Sequence, residues 1–210
     1  MRPIVKQSEP PSLTRHRVRP HADYDNYAEK DDLRKSLVGE QGALCCYCMQ
    51  RIHPTGTRMK IEHWLCQEDH GDHCLDYGNL LGACLGGHGK PRRQQHCDTR
   101  KGKRSLHRNP AKASPPVDRD VHYLADGTIR SDAARFDGEL NDVLNLNMQR
   151  LKNNRMAVLD GLRHWAGRGG SLRKATIRAE LIEWQTIEGS ILREYVQVAV
   201  YWLTKRLARG

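Results

Sequence analysis

Seven cysteines, at 45, 46, 48, 66, 74, 84 and 97, all fall in one stretch of a 210-residue chain. The count is odd, and the opening MRPIVKQSEPPSL lacks the apolar run of a secretory leader. The expectation is a reduced, cytoplasmic protein whose cysteines serve a metal rather than a disulfide framework. Cys45-x-x-Cys48 forms one tight pair, and Cys84 and Cys97 supply a second pair across a twelve-residue loop. Two sulfurs from each segment satisfy the tetrahedral, four-ligand preference of structural zinc. The second pair is far wider than a usual C-x-x-C, so Cys84-x3-His88 stands as an alternative source of ligands. A thiol redox reading of Cys45-x-x-Cys48 needs a βαβ context, which the sequence does not offer.

Around this cluster the chain divides by composition. Residues 1–27 hold four prolines and five Lys/Arg among few apolar positions, which predicts an extended basic arm. Leu33, Leu37 and Val38 recur at helical spacing, and Gly42 stands where that helix stops. Within 28–108, RMKIEHWL and NLLGAC have the length and content of strands. Proline-rich NPAKASPPVDRD opens a linker and hairpin region over 109–133, with Asp126-Gly127 as the turn. From 134 to 210 the apolar pattern is helical. Asn147 is the expected cap of a helix carrying Leu151, Val158, Leu159 and Leu162, and Ser190 the expected cap of the last one. The fold class expected is therefore α+β.

The formal charge is +10, and a clustered excess of Lys and Arg suits a polyanionic partner. Eight Lys/Arg and one acid lie between Gly87 and Arg108. Lys90, Arg92, Arg93, Arg100, Lys101, Lys103 and Arg104 are the expected nucleic-acid contacts, directed at phosphates because few aromatics interrupt them for base stacking. The longest apolar run, VAVYWL, is too short for a membrane span.

Read in order, the central segment is Cys-x-x-Cys, Glu62-His63, Asn79-Leu-Leu, Cys84, then CDTRKG from Cys97. This order resembles the HNH endonucleases, the ββα-metal nucleases whose scaffold is stapled by zinc. The opening residues, the LCCYCMQRI knuckle, DGTIRSD and LNLN extend the likeness, over nearly the whole chain, to the PtuB-type nucleases of Septu antiphage systems. Two departures stand out: LGGHGKPRRQQH is inserted between Cys84 and Cys97, and Asp98 occupies a position that is usually Asn or His.

The resemblance implies a zinc-stapled ββα-metal core followed by a helical region, and a metal-dependent endonuclease. It implies structural Zn²⁺ on Cys45, Cys48, Cys84 and Cys97, and catalytic Mg²⁺, or another divalent ion, on Glu62 and Asp98. The partners it implies are a DNA, RNA or tRNA substrate and an ABC/SMC-like, PtuA-type ATPase. It also admits a larger complex with a retron reverse transcriptase and its msDNA. His63 has the ordinary pKa of a base that works at neutral pH, and carboxylates suit hard divalent ions. Asn79 is implied to pin the loop that orients His63. Glu62 and His63 are consecutive, so both serve one site only if their strand ends there.

Each assignment has a plainer counterpart. Glu62-His63 also reads as a surface dipeptide, Asn79 as a turn residue and Asp98 as a helix cap. HGDHC at 70–74 reads as a solvated loop, and Cys46, Cys66 and Cys74 as small buried side chains. His53 reads as structural, and His107 as a remote candidate for phosphate or metal. Trp165, Trp184 and Trp202 read as core of the helical region or as anchors for a partner. A non-catalytic zinc module that binds nucleic acid or scaffolds an ATPase is the competing function.

Overall fold

The computed structural model describes residues 1–168 and 173–209. The helical region expected over 134–210 is thus described except at positions 169–172 and 210. Among the described residues the architecture is α+β: seven α-helices and two small antiparallel sheets. Helix α1 spans Pro11–Arg17 and α2 spans Lys30–Glu40. Strands β1 (Lys60–His63) and β2 (Leu80–Ala83) pair antiparallel, Glu62 opposite Leu81 and His63 opposite Leu80. A short helix α3, Cys97–Lys101, follows. A second hairpin joins β3 (Val121–Tyr123) to β4 (Ile129–Ser131). Helix α4 (Ala134–Gly138) continues into a π-helical turn over Glu139–Val143, and α5 (Gln149–Gly167), α6 (Lys174–Gln185) and α7 (Val196–Arg209) complete the chain.

Buried side chains mark the inner helix faces. On α5 these are Leu151, Arg155, Leu159, Leu162 and Ala166, a stripe of near-fourfold spacing. On α7 they are Val196, Val198, Ala199 and Leu203. The largest buried cluster joins the cysteine-rich knuckle, β2, the second hairpin and α5 to α7. A second cluster packs Leu13, Tyr27, Leu33 and Leu37 onto Leu75, Tyr77 and Leu80. Trp165, Trp184 and Trp202 are half-buried against the helical core. Among the described residues no helix is long and apolar enough to cross a membrane.

Three expectations need correction. Residues 1–27 are not an extended arm: Pro10 and Pro11 open α1, and Met1, Ile4, Leu13 and Tyr27 are buried. Four apolar anchors outweigh a local composition rich in Pro and Arg. Asn147 does not cap α5. Its side chain bonds the Ile129 N–H at 2.8 Å and donates to the Ile129 carbonyl at 2.9 Å, occupying the outer edge of β4 as another strand would. Ser190 lies in a turn at φ 68°, and α7 begins six residues later. The hairpin turn falls at Asp126-Gly127: Gly127 adopts φ 75°, and a Cβ there would lie 2.2 Å from the Lys152 carbonyl.

The Asn147 bonds satisfy two backbone groups of a residue only 1% exposed. Asn147→Ala is expected to destabilise the protein by about 2 kcal/mol, the cost of orphaned buried polar groups. Urea unfolding should show a lower midpoint at an unchanged m-value.

Candidate metal centre and adjoining acidic cleft

Four of the seven cysteines converge. The Sγ atoms of Cys45, Cys48, Cys84 and Cys97 all lie within 4.8 Å of one another, and all four residues are buried. Cys45 and Cys97 sulfurs are 3.9 Å apart and those of Cys48 and Cys84 3.7 Å. Tetrahedral metal–thiolate bonds of the zinc type put sulfurs about 3.8 Å apart. The cluster can therefore hold a metal ion, and its donors and spacing are consistent with structural zinc. Burial opposes ionisation of Cys45, but hydrogen bonds from Cys46, Cys48, Cys84 and Cys97 overcome it and lower its pKa. Burial and the neighbouring sulfurs push Cys48 and Cys97 up. A divalent cation relieves that repulsion.

Local backbone explains the convergence. In the first knuckle the Cys45 N–H donates to Gln50 O and the Met49 N–H to Cys45 O, with Met49 at φ 65°. The Cys46 N–H donates to Gly82 O, fastening the knuckle to β2. In the second half, the insertion after Cys84 folds back on itself. The His96 N–H donates to Gly86 O at 2.9 Å, and a Cβ on Gly86 would lie 2.1 Å from His96 O. That closure brings Cys97 beside Cys84 despite twelve intervening residues. His88 is exposed on the insertion, outside the four-sulfur cluster, so it does not complete the set. Cys46 is buried with its thiol pKa raised by burial. Cys66 and Cys74 lie outside the cluster, and HGDHC is a largely exposed loop with His73 paired to Asp76.

Next to the cluster is an open cleft of about 560 Å³ lined by Arg34, Lys60, Glu62, His63, Asp98 and Lys103, among others. Strand β1 ends at His63, so the chain turns there and both Glu62 and His63 reach the cleft. Glu62 is only 2% exposed. Its Oε1 accepts from the Tyr47 hydroxyl at 2.6 Å and from Lys101 Nζ at 2.8 Å. Burial raises the Glu62 pKa well above the usual range; a hydrogen bond with Asp98 and its charge raise it further, against the pull of Lys101. Asp98 itself lies 3.3 Å from Lys60 Nζ.

His63 stands at the end of the same strand. Its Nε2 is 3.1 Å from the Cys74 carbonyl, an acceptor, so Nε2 carries the proton and Nδ1 the lone pair. Tyr24 and the His63 ring meet edge to face at a centroid distance of 4.5 Å. Burial lowers the His63 pKa, partly opposed by the Cys74 carbonyl and Asp98, which favours a neutral imidazole at neutral pH. Asn79 does not line this cleft. Its side chain accepts the Leu65 N–H at 2.7 Å and donates to the carbonyls of Leu65 and His73, while the Asn79 backbone carbonyl accepts the Trp64 N–H. It thus ties down both segments that flank His63, one of which ends at Cys74.

The basic segment divides. Lys90, Arg92 and Arg93 are exposed, and Lys103 lies at the cleft mouth paired with Glu68. Arg100 is half-buried and donates to Arg92 O. Two expected phosphate contacts are corrected. Lys101 is 2% exposed, its ammonium held by Glu62 and the His63 carbonyl. Arg104 donates to four carbonyls, of Arg100, Lys101, Asp142 and Val143, which closes the end of α3. His107 is exposed outside the cleft. Sequence reasoning missed Lys60, Tyr47 and Arg34. Lys60 lies two residues before Glu62, on the same face of β1, and was legible from that alternation. Tyr47 and Arg34 carry no such signal.

If the four sulfurs hold a metal, the chain should bind one equivalent as isolated. Cys66→Ser and Cys74→Ser should keep it, and Cys84→Ser should lose it, by elemental analysis. Stripping it with a strong chelator should lower the melting temperature by roughly 10 °C or more, at about 3 °C per kcal/mol for a chain of this size. No model of a known protein family matches the chain, and no curated protein matches it either.

Proposed function

We propose that the chain is a metal-dependent endonuclease that hydrolyses phosphodiester bonds in nucleic acid. It is built on an HNH-type ββα-metal core stapled by zinc at Cys45, Cys48, Cys84 and Cys97. The observation that carries this reading is that Glu62, His63 and Asp98, from two separate segments, line one cleft beside the sulfur cluster. The donor set fits a hard divalent ion: two carboxyl groups line one cleft, and burial, then Asp98, raises the Glu62 pKa. Mg²⁺ held by Glu62 and Asp98 would supply charge relief at the scissile phosphate and leaving oxygen.

The protein groups then divide the work. Neutral His63 takes a proton from the attacking water at Nδ1, the nitrogen its Cys74 contact leaves free. Asn79 keeps the His63 backbone in register from behind. Tyr47 and Lys101 fix one oxygen of Glu62. Arg34, Lys60 and Lys103 place positive charge on the cleft wall, where a phosphate backbone would lie. The likeness to PtuB-type nucleases supports a wider role as an antiphage effector. There it would act with an ABC/SMC-like ATPase, in a Septu or retron setting, inside the cytoplasm.

One observation favours the competing reading, a zinc module that binds nucleic acid without cutting it. Each cleft carboxylate already has a lysine partner, Glu62 with Lys101 and Asp98 with Lys60, as a purely structural network would. Purified chain, with and without the ATPase, should be incubated with plasmid DNA and total tRNA in Mg²⁺. The nuclease reading expects cleavage that falls at least about 10²-fold in His63→Ala at equal zinc content. Equal binding by both proteins with no cleavage of either substrate would establish the non-catalytic module instead.

A further inference from the structure

His96 is 1% exposed and sits between the sulfur cluster and α5. Its Nδ1 lies 3.1 Å from Cys97 Sγ and 3.9 Å from Cys84 Sγ. Its Nε2 lies 2.8 Å from Nη2 of Arg150, an exposed residue on the first turn of α5. A guanidinium has donors only, so the imidazole must accept at Nε2. The proton therefore resides on Nδ1 and points at the sulfur. Arg150 fixes the tautomer, and the tautomer fixes the direction of the N–H···S bond.

We infer that His96 and Arg150 are positioning residues for the metal thiolates: His96 donates to Cys97, and secondarily to Cys84, because Arg150 holds it in the donating tautomer. The inference rests on the four-sulfur cluster and not on the hydrolysis. Four thiolates around one divalent ion carry two surplus negative charges in a buried setting. An N–H aimed at one sulfur and a guanidinium behind it disperse that charge without adding a ligand. Partners of this kind orient ligands and contribute 10–100-fold, as an order of magnitude, to metal affinity. Cys97 has φ 54°, a conformation disfavoured for a side chain with a Cβ, and its N–H donates to Leu144 O at 2.9 Å. The His96 bond helps hold that residue where it starts α3, one position before Asp98.

Cobalt supplies the test, because thiolate-to-Co²⁺ charge-transfer bands report the electron density on sulfur. The full chain should be loaded with Co²⁺ as wild type, His96→Leu, His96→Asn and Arg150→Met, with affinity measured by chelator competition. Removing the N–H should move the band of His96→Leu to lower energy and weaken affinity by about 10–100-fold. His96→Asn, which keeps an N–H near the Nδ1 place, should recover the wild-type band. Arg150→Met should shift it in the same direction by less, and because Arg150 is exposed it gives a reading even if His96→Leu does not fold. Unchanged bands and affinities in both His96→Leu and Arg150→Met would overturn the inference while leaving the metal site intact. Failure of the wild-type chain to take up Co²⁺ would overturn the metal site itself, and the inference with it.

Discussion

The geometry of the cleft depends on four sulfur atoms meeting. Cys84 directly follows β2, Cys97 begins α3, and Cys45 and Cys48 lie in a knuckle whose Cys46 N–H is bonded to β2. Glu62 is in register opposite β2, and Asp98 is one residue beyond Cys97. The distance between the two carboxylates is consequently set by the cluster more than by any contact of their own. Two four-residue strands and a five-residue helix cannot hold such a constellation by backbone pairing alone. Metal binding by structural sites of this type contributes on the order of 10 kcal/mol in isolated small domains. That is enough to hold a buried Glu62 and Asp98 on one cleft.

Much of this was legible in the chain because it is encoded locally. Cysteine spacing favoured the four-sulfur set while leaving His88 open, turn chemistry located the Asp126-Gly127 hairpin, apolar period located α2 and α5, and segment length and content located β1. What escaped was long-range. Asn147 has the residue type of a cap, and only the fold reveals that a strand edge needed its amide more. Lys101 and Arg104 look like two more cations in a basic run. Yet Lys101 has an acidic partner 39 positions earlier in the chain, and Arg104 has carbonyls from the π-helical turn. His96 was adjacent to a ligand and still invisible, because its role depends on Arg150, 54 residues away.

The same residues change what the net charge means. A formal +10 suggests a basic surface, but several of these cations are spent inside the molecule. Lys101 balances Glu62, Lys6 balances a fully buried Glu40 side chain, and Arg155 donates to Gly127 O and Leu146 O at 1% exposure. Burying a charge is costly unless it is paired or hydrogen-bonded: Lys101 and Lys6 have carboxylate partners, and Arg155 has oxygen acceptors alone. The expected phosphate contacts that stay exposed are Lys90, Arg92 and Arg93 on the insertion, and Lys103, paired with Glu68, at the cleft mouth. They occupy the insertion that departs from the HNH pattern and the cleft that carries its acidic residues.

The N-terminal segment belongs to the same construction. Lys6 donates to the Leu80 carbonyl, at the β2 residue that faces His63 across the sheet, and stacks over Tyr77 at 3.7 Å. Tyr24 contacts the His63 ring, and Arg34 from α2 lines the cleft. His63 thus owes its environment to residues from two other parts of the chain: the segment before α2, and the loop after β1 that ends at Cys74 and is pinned by Asn79. Burial favours the neutral ring, and the Cys74 carbonyl, which opposes that shift, fixes Nε2 as the protonated nitrogen. A strand and a helix joined by a metal would place Glu62 and Asp98. They would leave His63 at an open strand end in water, with neither tautomer favoured. The added layers convert that exposed imidazole into one with a single available nitrogen, which suits the proposed general-base role at a fixed point.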